Sequence, residues 1–141
     1  MKLSKRELMI LGAGLYACEG AKFRIDNRGW KHYDVDFTNN NPKIIRLYLK
    51  FLRECINAPE DRIKAQLFIY PDHKEIEVLE FWSKITNIPA DRFTKVIHMV
   101  QKSRRFKPSV YGTLKIRYHH KENFLAIQGI ISQVFADGEV A

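Results

Sequence analysis

Residues 12–20 read GAGLYACEG, and this stretch decides the fold because it carries two features that an isolated helix avoids. The residues before it predict a helix that begins at Ser4, where Ser4 and Glu7 have the spacing of a capping box. Glycine inside a helix is less favourable than alanine by about 1 kcal/mol. Glu19 lies near the C-terminus of this helix, which is the negative end of the helix dipole. Both features need an explanation outside the helix itself.

Small residues in the helix interior allow another helix to approach closely. That second helix belongs either to the same chain or to a second copy across a two-fold axis. In the second case the contact residues are Leu11, Gly12, Ala13, Gly14, Leu15, Ala17 and Cys18. The two Glu19 carboxylates then repel each other by roughly 3 kcal/mol at about 5 Å and an effective dielectric of about 20. A divalent cation removes this repulsion, and oxygen ligands suit Mg²⁺, so Glu19 is predicted to be a metal ligand.

The charge of the chain is unevenly distributed. The formal net charge is +8, and nine of the 24 Lys and Arg residues, but none of the 16 Asp and Glu residues, lie between Arg92 and Lys121. A short charged stretch is ordinarily a solvated face. Surfaces that serve only solubility mix both signs, however, so this stretch predicts a surface that binds a polyanion. Nucleic acid is the first expectation and a membrane surface the second.

Length and composition predict one folded domain over residues 1–141, since 45% of the residues are hydrophobic. Cys18 and Cys55 form no CxxC pair and are interpreted as reduced thiols. We expect no signal peptide, and the apolar run at 8–18 is too short to span a bilayer. The predicted location is therefore cytoplasmic, in association with the nucleoid, or organellar.

Hydrophobic periodicity predicts the order helix, two strands, helix, strand, helix, two strands, helix. After the first helix the predicted elements are strands at 21–26 and 30–37, a helix at 42–56 capped by Asn41, a strand at 62–70, a helix that begins near Asp72 and Glu75 and ends near 86, paired strands at 95–101 and 110–118, and a helix at 121–136. Apolar positions in the last two helices include Ile76, Leu79, Trp82, Ile85, Phe124, Ile127, Ile131 and Phe135. This order predicts an α+β fold whose sheet has helices on one face and basic residues on the other.

The stretch GAGLYACEGA resembles the motif that names the LAGLIDADG family of homing endonucleases. Ala13, Gly14 and Leu15 match the motif, Glu19 stands at its second acid and Gly20 at its last glycine, whereas Gly12 replaces the first leucine and Ala17 the first acid. The order of elements resembles the αββαββα core of the family, with the strand and helix of residues 57–90 as an insertion. The segments FTNNNPKIIRLYLKFL and YGTLKIRY are also similar to family members.

This resemblance implies a homodimer whose two antiparallel sheets form a saddle on duplex DNA. The family cleaves both strands of a long, nearly palindromic site with divalent cations, Mg²⁺ or Mn²⁺, held by the last acid of each motif. Glu19 inherits that role, the Cys18 carbonyl faces the metal, Asn39 and Asn41 stand where a polar residue orients water, and Lys115 is the candidate for an active-site lysine. The residues implied to face DNA are Lys22, Arg24, Trp30, His32, Arg104, Arg105, Thr113, Lys115 and Arg117. For Trp30 a role in packing the loop is an equal alternative.

Three functions are compatible with the sequence. The first is a site-specific DNA endonuclease that hydrolyses phosphodiester bonds with metal assistance. The second is a non-cleaving DNA-binding regulator on the same scaffold, and the third is an RNA maturase that binds an intron. Glu19 favours the first, because a protein that only binds DNA needs no acid at that position. The adjacent His119 and His120 point to opposite faces of a strand and are interpreted as non-metal residues.

Overall fold

The computed structural model describes residues 1–100 and 107–136, and the predicted α+β class is confirmed. Four helices are α1 Lys5–Glu19, α2 Pro42–Glu54, α3 Glu75–Thr86 and α4 Lys121–Val134. Six strands are β1 Arg24–Ile25, β2 Lys31–His32, β3 Phe37–Asn39, β4 Lys64–Ile69, β5 Ile97–His98 and β6 Thr113–Arg117. Two short 3₁₀ turns, at Glu60–Arg62 and Ala90–Arg92, precede β4 and β5. Within the described ranges no helix has the length and apolar character needed to cross a bilayer.

Helix α1 begins and ends where the sequence predicts. The Ser4 side chain accepts the Glu7 N–H at 3.1 Å, and the Glu7 carboxylate accepts the Ser4 N–H at 2.8 Å, which completes the capping box. Gly20 ends the helix in an extended conformation with a φ of −74°, so it is no left-handed cap. Glycine is required there for space, because a Cβ atom would lie 2.4 Å from the Tyr16 ring.

The glycines inside α1 have different surroundings. A Cβ atom on Gly12 would lie 2.1 Å from the Phe51 ring of α2, so Gly12 permits these two helices of one chain to pack closely. A Cβ atom on Gly14 would meet no atom within 4 Å. The predicted contact with a helix of the same chain therefore accounts for Gly12 and leaves Gly14 unexplained.

The main sheet has the strand order β3-β6-β4-β5. Strands β6 and β4 are antiparallel neighbours at its centre, and their buried residues alternate with more exposed ones. The buried side chains face the helices and join one hydrophobic core, whose largest members are Trp82, Tyr16, Tyr48, Tyr118, Phe37 and Phe51. Because one face of the sheet is covered, its opposite face is left for polar residues.

One prediction about the sheet is wrong, and another segment has a larger part in the sheet than expected. Strand β5 pairs with β4 in parallel, with Phe68 opposite Ile97, so the predicted strands 95–101 and 110–118 do not pair and the sheet is mixed rather than antiparallel. Strand β4 comes from segment 57–90, which was predicted as an insertion, yet it lies between β6 and β5. Its buried residues supply part of the core. This segment is thus integral to the sheet.

The predicted hairpin is confirmed at its tip, where β1 and β2 form an antiparallel ribbon. The predicted strand 30–37 is interrupted before β3. Val35 still donates its N–H to the Tyr118 carbonyl at 2.7 Å, but two side chains make the neighbouring hydrogen bonds. The Asp36 carboxylate accepts the Tyr118 N–H at 3.1 Å, and the Tyr48 hydroxyl donates to the Val35 carbonyl at 3.1 Å. Single bridges between Gly20 and Phe37, and between Asp34 and His119, keep the ribbon aligned with the sheet edge.

The remaining helices differ from prediction at their ends. Asn41 caps α2 by accepting the Lys43 N–H at 2.9 Å, as predicted. In α3, no side chain caps the N-terminus, and Ile76 is 72% exposed because Val78 and Trp82 define the buried side. Phe135 is 57% exposed, because α4 ends at Val134 and Phe135 lies beyond the turns that pack on the core.

Candidate nucleic-acid interface

The outward face of the sheet carries polar side chains, as predicted for β6. Thr113, Lys115 and Arg117 are half-buried there and alternate with the buried Leu114 and Ile116. The strand register places residues of β3 and β4 beside them. We call this surface the polar face and define it as Thr38, Lys64, Gln66, Thr113, Lys115 and Arg117. It combines three cations with hydrogen-bonding groups on a rigid strand scaffold.

Glu19 is exposed at the last position of α1 and is held from β3. The Asn39 amide donates to its Oε2 atom at 2.5 Å. The Asn39 Oδ1 atom accepts the Asn41 N–H at 2.8 Å, and the Asn41 side chain is itself occupied as the cap of α2. Asn39 is therefore in direct contact with Glu19, whereas Asn41 acts only through Asn39.

A cleft of about 340 Å³ lies between the end of α1 and the polar face. We call it the Glu19 cleft, and its charged and hydroxyl-bearing residues are Glu19, Lys22, Arg24, Asp34, Asp36, Thr38 and Lys115. The cleft brings together Glu19, Lys22, Arg24 and Lys115 from the predicted site. Asp34 and Asp36 were missed, although the alternation of residues 30–37 places both on the wet side of their strand.

Asp36 is an acid with only 7% of its surface exposed, and it fixes the position of Lys115. Its Oδ2 atom lies 3.5 Å from the Lys115 Nζ atom, while its Oδ1 atom accepts the Tyr118 N–H. A carboxylate that is removed from water needs such partners. Asp36 therefore holds the Lys115 ammonium beside the Glu19 cleft.

Lys22 compensates for the acid at the wrong end of α1. Its Nζ atom donates to the Ala17 carbonyl at 2.7 Å, so a positive charge lies on the exposed carbonyls of the helix C-terminus. Nearby, the Tyr16 hydroxyl donates to the Ala21 carbonyl at 2.6 Å. Burial, followed by the charge of Asp36, raises the pKa of Tyr16 far above its usual value, so this hydroxyl remains a donor.

Arg24 lines the Glu19 cleft from the ribbon. Its Nη2 atom lies 3.6 Å from the Asp34 carboxylate, and the Arg24 side chain is 59% exposed. Asp34 also contacts the Nδ1 atom of His119, two residues beyond the end of β6. The exposed guanidinium of Arg24 is therefore oriented by Asp34 and still accessible to a ligand.

The ribbon tip carries Trp30 and His32, which lie outside the Glu19 cleft. Trp30 is 66% exposed, with the Arg28 guanidinium 5.6 Å from its ring centre. The His32 Nε2 atom lies 2.9 Å from the Asp26 carboxylate. This contact, together with the N–H groups of Trp30 and Arg28, lowers the pKa of Asp26 to about 2. The tip is thus a turn whose N–H groups and His32 side chain bind the Asp26 carboxylate, and the Trp30 indole projects from it.

The donor atoms near Glu19 are hard oxygens. Glu19 has a second carboxylate oxygen besides the one that contacts Asn39, and no hydrogen bond among the described residues uses the Cys18 carbonyl. The Cys18 thiol is exposed. Within residues 1–100 and 107–136, no group of three or more His, Cys, Asp and Glu side chains is arranged to hold a metal ion. A metal at Glu19 would therefore need backbone, solvent or partner-chain oxygens as well.

The predicted dimer contacts on α1 divide into two sets. Gly12 and Ala13 are buried inside the chain and serve its own packing. Leu11 is 42% exposed, and Ile10, which was not predicted, is 44% exposed. Together with the exposed Cys18 and the half-buried Gly14 and Ala17, they form the free face of α1, whereas Leu15 at its border packs partly on the core.

No family model, curated protein or solved structure matches this chain. Function is therefore argued from the Glu19 cleft and the polar face. Arg104 and Arg105, which were predicted to contact DNA, lie outside the described residues.

Proposed function

We propose that the chain is a site-specific endonuclease of duplex DNA that acts as a homodimer on a LAGLIDADG-like scaffold. The observation that carries the proposal is the position of Glu19, which Asn39 holds at 2.5 Å at the edge of a cleft that also carries Lys22, Arg24 and Lys115. An acid placed against a DNA-binding surface opposes binding by charge repulsion, so its presence favours a catalytic use.

The oxygen donors fit a hard divalent cation such as Mg²⁺ or Mn²⁺. The Glu19 carboxylate and the Cys18 carbonyl would hold it, and a two-fold axis would add the same groups from a second copy. When bound, such a cation neutralises charge that develops on the phosphate and lowers the pKa of water.

The chain's own residues position the reactants. Asn39 fixes the Glu19 carboxylate against β3, and Asp36 holds the Lys115 ammonium where a phosphate in the Glu19 cleft would meet it. A preorganised cation beside a phosphate stabilises negative charge at the moment of bond cleavage without further rearrangement. Asn39 and Asp36 are therefore positioning residues in this proposal.

The free face of α1 supplies the proposed dimer contact. Its apolar side chains are exposed in the single chain, and Gly14 leaves open space at its centre. Two copies that meet there would bring both Glu19 residues toward the axis, because Glu19 ends the same helix.

The decisive experiment is a selection of cleaved sites from a randomised DNA library in Mg²⁺. We expect one long, nearly palindromic site to be enriched, with both strands cut. Glu19→Gln is the inactive control, and Glu80→Gln, which makes the same charge change on α3, is the matched active one. Tight duplex binding with no enriched cleaved site would instead support the non-cleaving regulator. Preferential binding of structured intron RNA would support the maturase.

A further inference from the structure

Lys64 and Arg117 lie directly opposite each other on the antiparallel strands β4 and β6. Like charges in this arrangement destabilise a sheet. Neither side chain has an ion-pair partner among the described residues. The pair is thus a local accumulation of positive charge at the edge of the polar face.

The Arg117 guanidinium also has an unused donor. Its Nε atom is shielded from solvent and has no hydrogen-bond partner in the part of the chain that the structure describes. A buried donor without a partner is unfavourable, and more so when it belongs to a charged group. This second observation is independent of the charge pairing. Because the Nε atom is shielded, an acceptor outside the chain reaches it only after the Arg117 side chain changes its rotamer.

Both cations line a cleft of about 350 Å³ that is separate from the Glu19 cleft. Its other residues are Asp61, Arg62, Thr94 and His119. Arg62 is held in place, since its Nη2 atom donates to the His119 carbonyl at 2.6 Å and its guanidinium lies 5.9 Å from the Tyr118 ring centre. Three fixed or strand-borne cations therefore surround this cleft, against the single acid Asp61.

We propose that this cleft, which we call the Arg117 cleft, binds one phosphate group. A phosphate would neutralise the opposed charges of Lys64 and Arg117 and accept from the outer N–H groups of the Arg117 guanidinium, and a change of the Arg117 rotamer would bring the orphaned Nε–H to it as well. Arginine suits phosphate because its donors are planar and fixed. The phosphate belongs either to a nucleic-acid backbone, in which case the inference rests on the proposed DNA-binding function, or to a free phosphate ion. Arg117 then contacts a phosphate.

The first arm of the test uses inorganic phosphate. Thermal unfolding of the wild type, Arg117→Gln and Lys74→Gln is measured with sodium phosphate and with sodium chloride at equal ionic strength. Lys74 is the control, because it is an exposed lysine at the N-cap of α3 and does not line the Arg117 cleft. Without phosphate, Arg117→Gln should unfold at the same or a higher temperature, since a like-charge contact is removed. A phosphate site predicts a rise in the wild type and Lys74→Gln that Arg117→Gln lacks.

The second arm measures binding to duplex DNA and needs no cleavage. A negative result in this arm therefore counts against a backbone phosphate in the cleft and not against the endonuclease proposal. The slope of log affinity against log salt concentration is measured for the same three proteins. A backbone phosphate in the cleft predicts a slope smaller by about one in Arg117→Gln only.

Together the two arms distinguish a phosphate of the nucleic-acid backbone from a free phosphate ion. A smaller slope in Arg117→Gln, with or without a response to inorganic phosphate, assigns the cleft to the backbone. A phosphate response that depends on Arg117, with an unchanged slope or with no duplex binding at all, assigns it to free phosphate. If Arg117→Gln matches Lys74→Gln in both arms, the Arg117 cleft is no phosphate site.

Discussion

The Asn39 amide donates to the Glu19 carboxylate at 2.5 Å although the residues are 20 positions apart in the chain. This contact joins the C-terminus of α1 to the end of β3, so a strand of the sheet fixes the rotamer of a helix-terminal acid. An exposed glutamate otherwise samples many rotamers. The contact therefore defines where the carboxylate points before any ligand arrives.

Glu19→Gln removes this charge and keeps the shape, and the glutamine carbonyl can still accept from Asn39. We expect cleavage to fall by orders of magnitude, because charge stabilisation at the phosphate is lost. Duplex binding without metal should stay level or tighten, since negative charge leaves the DNA surface. Rates of cleavage in Mg²⁺ and affinities measured without metal check the two parts. Equal cleavage by Glu19→Gln and the wild type would remove the main reason to regard the chain as an enzyme.

Gly12→Ala and Gly14→Ala separate packing within the chain from contact between copies. Gly12→Ala forces a methyl group into the Phe51 ring and should destabilise the fold by about 1–3 kcal/mol. Gly14→Ala has open space and should stabilise the single chain by up to about 1 kcal/mol. Urea unfolding at a concentration where the chain is monomeric measures both. The opposite order of stabilities would show that the α1–α2 contact is misassigned.

Gly14→Leu tests the proposed dimer. In a single chain the larger side chain projects into open space, whereas across a two-fold axis it would push two helices apart. We expect sedimentation to show a dimer for the wild type and a monomer, with retained secondary structure, for Gly14→Leu. A wild type that sediments as a monomer at all accessible concentrations argues against the dimer.

A double-mutant cycle at Asp36 and Lys115 tests the ion pair beside the Glu19 cleft. Lys115→Met leaves a buried carboxylate with only the Tyr118 N–H as partner, and should destabilise the fold by about 1–3 kcal/mol. Asp36→Asn should have a smaller effect, because its amide oxygen still accepts that N–H. The double variant should recover part of the loss of Lys115→Met. Strict additivity of the two effects would mean that the pair is not coupled.

The lowered pKa of Asp26 predicts that the stability of the fold depends on pH in the acid range. Its pKa is lowered from the usual 3.8 to about 2, chiefly by the hydrogen bond with His32. The folded state therefore prefers the ionised carboxylate, so this contribution is complete above pH 4 and disappears as the pH falls toward 2. The urea midpoint of Asp26→Asn should lie below that of the wild type at pH 5, and the two should converge near pH 2. A difference that persists unchanged at pH 2 would assign the effect to something other than ionisation.

Local sequence rules predict the helices well because their determinants are near in sequence. The Ser4–Glu7 capping box and the Asn41 cap with Pro42 each involve residues within three positions of one another, and both are found as expected. The alternation in β6 also correctly separates Leu114 and Ile116 from the polar face. Each of these patterns concerns a single helix or strand and the separation of its buried side from its exposed side.

The features that sequence reasoning missed depend on contacts between distant elements. The parallel pairing of β5 with β4 leaves no local pattern, and neither does the replacement of strand hydrogen bonds by Asp36 and Tyr48. Ile76 has the expected spacing yet faces solvent, because tertiary packing chose Val78 and Trp82 for the buried side. In the candidate site, alternation along residues 21–26 places Lys22 and Arg24 on the wet side of their strand, and alternation along 30–37 does the same for Asp34 and Asp36. The excess of positive charge in the chain drew attention to the cations and gave no reason to single out the two acids.

The Tyr16 hydroxyl donates to the Ala21 carbonyl at 2.6 Å and lies 3.0 Å from the Asp34 carbonyl oxygen. One side chain of α1 therefore contacts the segment that enters the ribbon and the segment that leaves it. The ribbon and the end of α1 are consequently joined through one side chain as well as through the backbone. In the proposed endonuclease, these Tyr16 contacts would set a distance along the DNA. It is the distance from the base pairs that the ribbon contacts to the bond that is cut beside Glu19. Changes to the exposed ribbon residues could then alter which sequence is recognised while the cutting position stays the same.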